Sequence, residues 1–134
     1  MADFIGINNL IAGEVKQVDE ANRLMVVETR FGLIQCLPVK QLREGDACKI
    51  SVRPEVASIG RPAEAQDGMN IICGTVSFAS YIGNAIRYDI ELDRETIFRV
   101  DVQNPRNQEP FPINQEVSVC FPIRVTLGIP VLKG

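Results

Sequence analysis

The sequence predicts an all-β protein built as two related five-stranded barrels in tandem, and three observations predict this class. Residues 9–15 (NLIAGEV) recur as residues 70–76 (NIICGTV). Each copy opens a run of short β-like segments that ends in a similar stretch, GDACKISV at 45–52 and NQEVSVCF at 114–121. No segment keeps the 3.6-residue apolar period of a long helix. An internal repeat of this kind defines the units of the fold.

The first lobe is predicted to span residues 1–59. Residues 24–29 are rich in β-branched side chains and form a predicted hairpin with residues 32–37. A Glu44-Gly45-Asp46 turn precedes a strand at 47–52, whose polar and apolar residues alternate with period two. Pro54 ends that strand because proline cannot donate to a ladder. The sequence also allows one short helical turn at residues 38–42.

The second lobe is predicted to span residues 69–134, after a linker at 60–68 that carries two glycines and a proline. Its predicted strands are 72–78, 86–92, 96–102 and 117–121. Residues 80–84 form the predicted turn between the first two, with Gly83-Asn84 chemistry. The best match for both lobes is a barrel of the oligonucleotide/oligosaccharide-binding (OB) type. Gly13 and Gly74, each inside a strand, predict a bulge or a tight bend.

Composition narrows the function classes. The chain is 46% hydrophobic and carries a net charge of −3, without a basic block. Nucleic acid is therefore not an expected partner, because binding it needs a positive surface. No apolar run of membrane-spanning length and no signal peptide is present. Residues 1–6 (MADFIG) look like the middle of a longer polypeptide to which Met1 was added, and a short natural protein is the alternative.

Cysteine and histidine usage bears on catalysis and metals. The four cysteines contain no C-x-x-C pair, and three of them lie among apolar neighbours, which predicts buried thiols and neither a disulfide framework nor a metal site. The chain has no histidine, so it lacks the usual general base. We expect no catalytic residues and no enzymatic activity in this chain.

Several short motifs occur in a distinctive order. They are residues 2–6 (ADFIG), 9–13 (NLIAG), 52–55 (VRPE), 74–76 (GTV) and 81–83 (YIG). In this order they resemble the regulatory C-terminal module of an ATP-binding-cassette (ABC) importer ATPase, the transport-associated OB domain. The closest subgroup is the spermidine/putrescine and ferric-iron type, and the resemblance covers nearly the whole chain.

The resemblance implies a regulatory and dimer-bracing role. The implied partners are the module's own nucleotide-binding domain, a second copy in a homodimer and, indirectly, the membrane subunits of the transporter. The implied location is cytoplasmic, peripheral to the inner membrane through the parent transporter. A module that senses a small ligand (a polyamine, a metal or an oxyanion) and a free-standing OB protein that binds nucleic acid are the alternatives.

The sequence departs from the family at the residues that bind ligands. The G-x-x-x-x-G-K-[ST] phosphate loop and the Leu-Ser-Gly-Gly signature are missing, so no cofactor is expected and ATP would bind the nucleotide-binding domain that this chain lacks. Related molybdate-binding modules carry Ser-Ala-Arg-Asn before the first strand, and only Asn9 and Asn70 match that motif here. An oxyanion would find few of the donors that it needs.

Four residues are candidates for a structural or interaction role. Arg53 and Glu55 flank Pro54, and they either hold the exit of the first barrel by an ion pair or backbone bonds, or contact the ATPase or a ligand. Tyr81 and Gly83 could form a ligand-stacking face with Tyr88, or Tyr81 is a packing residue with a tied hydroxyl.

An acidic stretch follows in the second lobe. Asp89, Glu91 and Asp93 are predicted to share one strand face. That face either attracts a polycation or is an ordinary solvated surface.

Overall fold

The structure, a computed structural model, describes residues 8–61, 67–103 and 110–131. These residues form ten strands and two short 3-10 turns, with no α-helix in the described part, which confirms the all-β class. The strands are β1 (Asn9–Asp19), β2 (Leu24–Thr29), β3 (Gly32–Pro38), β4 (Ala47–Val52), β5 (Ser58–Gly60), β6 (Met69–Ile82), β7 (Ala85–Asp93), β8 (Thr96–Gln103), β9 (Glu116–Pro122) and β10 (Leu127–Pro130). The turns are Pro54–Val56 and Ile123–Val125.

The strands form two five-stranded units on one plan. The first barrel is closed, with the order β1-β2-β3-β10-β4. The second sheet has the order β5-β9-β6-β7-β8, and its edge strands β5 and β8 approach each other. In both units the long opening strand of the repeat, β1 or β6, pairs with the next strand and with the closing strand. The predicted tandem of five-stranded units is confirmed.

Each repeat sends its last strand into the other unit. After β4, the Pro54–Val56 turn leads into β5, which pairs with β9 of the second sheet. After β9, the Ile123–Val125 turn leads into β10, which closes the first barrel between β3 and β4. The division into lobes 1–59 and 69–134 with a linker at 60–68 stays a prediction, and these two exchanged strands cross it.

Gly13 and Gly74 are needed where β1 and β6 pass close to a neighbouring strand. A Cβ atom at either position would lie 2.8 Å from a backbone carbonyl oxygen, that of Glu28 or Glu91. Such a contact is too short for any side chain that begins with a Cβ atom. A register shift follows each glycine in the β1–β2 and β6–β7 pairings, so the predicted bulges lie just beyond the glycines.

Each unit encloses an apolar core. Val27, Ile34 and Ile50 are fully buried in the first barrel, and the rings of Phe98 and Phe121 stack at 5.6 Å in the second sheet. Burial of a side chain of this size contributes about 1.5–3 kcal/mol to folding. Alternation along β2, β4, β7 and β8 therefore sets which face of each strand turns inward.

The cysteines are all free, and they differ in burial. Cys36 and Cys48 lie in the core of the first barrel, and burial raises the pKa of the Cys36 thiol to about 12. Cys120 is half-buried, and burial also raises the pKa of its thiol. Cys73 is exposed, so the prediction of burial is wrong there, because its side chain is on the outward face of β6.

Two element boundaries differ from the prediction. β6 continues to Ile82 because Tyr81 and Ile82 keep pairing with β7, and the turn is confined to Gly83, with a φ of 63°, and Asn84. Residues 38–42 form no helical turn. Helical turns instead follow the closing strand of each repeat, where Pro54 starts the first of them.

Candidate functional site

Two asparagines at equivalent positions of the repeats join the two units. Asn9 Nδ2 donates to the carbonyl of Arg99 at 2.8 Å, and its Oδ1 accepts the Arg99 N–H at 2.7 Å. Asn70 makes the same two bonds to Gln35, at 2.8 Å and 2.9 Å. Both asparagines are buried. We call them the asparagine clips.

The clips reproduce what a neighbouring strand would do. A carboxamide presents one acceptor and two donors, so it can satisfy the N–H and the C=O of one residue at a strand edge. Asn9 caps the edge of β8, and Asn70 caps the edge of β3. Unpaired strand edges are otherwise open to other chains. Each clip uses the carboxamide oxygen and one of its two N–H groups, which leaves at most one donor of each asparagine for any other ligand.

The two equivalent hairpin tips also meet. Arg30, in the β2–β3 turn, lies 2.7 Å from Asp93 and 3.8 Å from Glu95, which border the β7–β8 turn. The N–H of Glu95 donates to Asp93 at 2.9 Å. That bond, with help from the Arg30 charge, holds the pKa of Asp93 below its ordinary value. The junction of the repeats therefore combines the clips with an exposed charged contact.

A charged network covers the outer face of β7 and β8. The Arg87 guanidinium donates to both carboxylate oxygens of Asp101, at 2.8 Å and 3.0 Å. Arg99 pairs with Asp89 at 3.3 Å. Hydrogen bonding to Asp101 raises the pKa of Arg87, and the charges of Asp101, Asp89 and Glu55 add to the effect. Planar two-point pairing of this kind fixes geometry as well as charge.

The acidic face predicted at Asp89, Glu91 and Asp93 is thus largely compensated. Asp89 and Asp93 are each paired with an arginine, and Glu91 is exposed. A polycation would have to displace Arg30 and Arg99 to bind both aspartates. This arrangement favours the solvated-surface interpretation.

Arg53 and Glu55 stand at the end of β4, on either side of Pro54. Both side chains are exposed, and the ion pairs formed within residues 8–61, 67–103 and 110–131 include neither of them. The carbonyl of Arg53 accepts the N–H of Val56 at 3.3 Å. The Pro54–Val56 turn packs on β8, and the charge of Glu55 makes a small addition to the raised pKa of Arg87. The interaction roles of Arg53 and Glu55 stay predictions.

Tyr81 and Gly83 lie at the tip of the β6–β7 hairpin. Tyr81 is 73% exposed, whereas Tyr88 is buried. The Tyr88 hydroxyl accepts the N–H of Phe111 at 3.1 Å, and the two rings meet edge to face at 5.8 Å. A three-residue stacking face with Tyr88 is therefore not formed. Tyr81 and Gly83 remain predicted interaction residues.

A groove of about 530 Å³ lies at the mouth of the first barrel, between the β1–β2 turn and the loop before β4. Its lining carries both charge signs, among them Asp19, Arg43 and Glu44. The side-chain amide of Asn22 holds the pKa of Asp19 low. No cluster of three or more metal-binding side chains occurs in the described residues, and none of their helices could span a bilayer.

The clips are the residues that sequence reasoning missed. The sequence relates Asn9 and Asn70 only to the last residue of an oxyanion-binding motif. The same residue type at the same place in both repeats was the available signal. It could not reveal the partners, because Gln35 and Arg99 take part through their backbones and share no residue type.

Comparison with known proteins agrees with this architecture. Residues 50–127 match the family model described as TOBE domain, which confirms the resemblance to transport-associated OB modules. The spermidine/putrescine import ATP-binding protein PotA of Thermotoga maritima is 33% identical over 107 residues, which cover 78% of this chain. The Fe(3+) ions import ATP-binding protein FbpC of Brucella abortus is 28% identical over 124 residues, which cover 92% of this chain.

The aligned region is a small part of those relatives. It spans 28% of the length of the first and 32% of the second. Among solved structures, the cytoplasmic molybdate-binding protein ModG superposes with a TM-score of 0.76, over 92% of this chain and 96% of that one. At 14% sequence identity this likeness concerns the fold alone, and it agrees with two OB-like units in tandem.

Proposed function

The chain belongs to the TOBE domain family, and we propose on that premise that it is the regulatory and dimer-bracing module of an ATP-binding subunit in an ABC importer. The importer is of the type that transports spermidine and putrescine or ferric iron. The module works beside its own nucleotide-binding domain and a second copy of itself, on the cytoplasmic side of the membrane subunits. It contributes no catalytic group and binds no ATP.

One observation carries this proposal. The chain aligns over most of its length with two import ATP-binding proteins, yet it spans less than a third of the second and 28% of the first. A segment with that relation to its relatives is an accessory module. Hydrolysis of ATP needs a phosphate loop, which is missing from this sequence.

The physical support is the interlocked architecture. Two exchanged strands, two asparagine clips and the Arg30–Asp93 contact join the repeats. A brace must transmit displacement without deforming, and a doubly exchanged β-structure resists separation of its parts. Arg53, Glu55, Tyr81 and Gly83 are exposed, and they are the candidates for contacts with the rest of the subunit.

The test is deletion of this module from the full-length ATP-binding subunit that contains it. We expect ATP hydrolysis by the subunit to persist, while its dimer dissociates more readily in sedimentation and solute uptake becomes uncoupled from hydrolysis. Calorimetry on the isolated chain should detect no ATP binding. An unchanged dimer and unchanged coupling after deletion would contradict the proposal, as would ATP turnover by the isolated chain.

A further inference from the structure

Three adjacent strands of the first barrel carry exposed apolar side chains together with two cations. The strand register aligns Leu10 with Ser51 and Ser51 with Leu127, and Lys49 lies between Ala12 and Ile129 in the next row. Directly paired residues point to the same side of a sheet. Leu10 is 51% and Leu127 41% exposed, and between them Ser51 is buried, with its hydroxyl accepting from the Asn8 side-chain amide at 3.2 Å. Arg53 follows Ser51 along the chain and is exposed. We call this surface the β4 face: Leu10, Lys49, Arg53, Leu127 and Ile129.

The fold does not require this composition. The second sheet repeats the same three strands as β6, β9 and β5. There Ile71 faces Cys120 and Cys120 faces Ser58, while Cys73 faces Ser118 and Ser118 faces Gly60. Leu127 and Ile129 thus correspond to a serine and a glycine, and Lys49 to Ser118. Exposed apolar groups that the architecture can do without are a mark of an interaction site.

Within residues 8–61, 67–103 and 110–131, the two cations on the β4 face have no partner of opposite charge. The ion pairs of the described residues involve neither Lys49 nor Arg53. The outward positions of these three strands hold two carboxylates, Glu14 opposite Ala47 and Asp19 at the end of β1, both toward the end of β1 that is far from Arg53. The face is therefore apolar and positive on a chain whose net charge is −3.

We propose that the β4 face binds an acidic amphipathic segment of a partner polypeptide. Its apolar side chains would cover Leu10, Leu127 and Ile129, and its carboxylates would pair with Lys49 and Arg53. A second copy docking by the same face would oppose like charges. An anionic membrane needs a cluster of about 4–8 basic residues, and nucleic acid would find no aromatic platform on this face. The proposal goes beyond the brace and does not depend on it.

The probe is a synthetic amphipathic peptide with leucine on one face and glutamate along its flanks, titrated into the isolated chain and followed by backbone amide NMR. We expect shifts at Ala12, Lys49 and Leu127, and affinity that falls as salt is added. Lys49→Glu and Arg53→Glu should each weaken binding roughly tenfold, because like charges then meet at the interface. Leu127→Ser, which copies Ser58 of the second sheet, should weaken it as well.

Arg94→Glu is the matched control. Arg94 is exposed in the β7–β8 turn of the other repeat, and its reversal should leave binding unchanged. Three results would overturn the proposal: no binding of the acidic peptide, equal binding of a version with lysine in place of glutamate, or equal loss in Arg94→Glu. Binding to anionic lipid vesicles in place of the peptide would assign the face to a membrane and overturn it too. Thermal melts of each variant separate lost binding from lost folding.

Discussion

The outer faces of the two repeats differ at positions that the strand register makes equivalent. On β2 and β3 the first repeat carries Leu24, Val26 and Leu37, whereas β7 and β8 of the second carry Arg87, Asp89 and Asp101. The clips define the equivalence, because Asn70 holds Gln35 and Asn9 holds Arg99. Val26 pairs with Gln35 just as Asp89 pairs with Arg99. The same arrangement of strands thus carries apolar side chains at these positions in one unit and a salt-bridge network in the other.

Features that both repeats share, in contrast to their different outer faces, are the ones that the architecture requires. The glycines at the close strand approach and the clip asparagines occur in both repeats. So do the turns before the closing strands, where Gly45 and Asn114 both have positive φ. Outward side chains have diverged. Backbone geometry and inter-repeat bonding are therefore shared constraints, and the outer faces were left to specialise.

The largest effect is expected when the exchange of strands is broken on one side only. Deleting residues 127–134 removes β10, which leaves β3 and β4 each without one of their two neighbouring strands and opens the first barrel. We expect loss of most of the roughly 5–15 kcal/mol that stabilises a domain, and no cooperative thermal transition. Deletion of residues 132–134 alone is the control. A truncated chain that still melts cooperatively would show that the first barrel closes without the exchanged strand.

The clips come next in expected size. Asn70→Ala leaves the N–H and C=O of Gln35 without their partners, at a cost of about 2–3 kcal/mol in the free energy of unfolding. Asn9→Ala should cost about the same, because it makes the same bonds to Arg99. Urea denaturation measures both. Asn22→Ala, an exposed asparagine that bonds only locally to Asp19, should change stability by less than about 0.5 kcal/mol. Equal losses of unfolding free energy in all three variants would show that the clips stabilise the protein no more than a local surface hydrogen bond does.

The charged network offers a way to convert one repeat toward the other. Arg87→Leu places in the second repeat the residue type of Leu24, and it leaves the nearly buried Asp101 unpaired. We expect a loss of about 1–2 kcal/mol, since the pair is partly exposed. Adding Asp101→Leu, which copies Leu37, should restore most of it, because removing both charges also removes the desolvation cost. If the double variant is less stable than the single one, the outer faces are not interchangeable.

The smallest expected effect is on the stability of the protein at acid pH. The pKa of Asp93 is lowered in the folded protein, so its contribution to stability is present above the ordinary aspartate pKa and fades as pH falls through the lowered value. Asp93→Asn should therefore lower stability slightly at neutral pH and flatten the acid limb, so that the profiles of the two proteins converge at low pH. Melting temperatures across an acid series check this. If the melting temperature of Asp93→Asn depends on pH as that of the wild type does, the hairpin-tip contact does not contribute to acid sensitivity.

Much of this fold could be predicted from sequence, and the gaps have physical causes. Repetition of the 9–15 segment gave the two units, and period-two alternation located β4, β7 and β8. The exchanged strands β5 and β10 were invisible because they contain only 3 and 4 residues, too few for an alternation signal. Their pairing depends on the turn before each strand, which redirects the chain toward the other unit.

The candidate site was harder to predict for a related reason. The closeness of Arg53 and Glu55 in sequence predicts a pair, but the ion pairs of the described residues include neither of them. The sequence alone does not distinguish the exposure of Tyr81 from that of Tyr88, and the strand register buries only Tyr88. Contacts that depend on backbone atoms, such as both clips, leave no mark on the residue type of the partner.

The repeats form one interlocked unit, and native-state hydrogen exchange is the sharpest test of that interlock. The amide protons of Gln35 and Arg99 are held by side chains from the opposite repeat. We predict that both exchange only with global unfolding, that urea lowers their protection with the same slope, and that Asn70→Ala reduces protection in both units together. Separate slopes for the two amides, or loss of protection confined to the first barrel in Asn70→Ala, would show that the units open independently and would contradict the account.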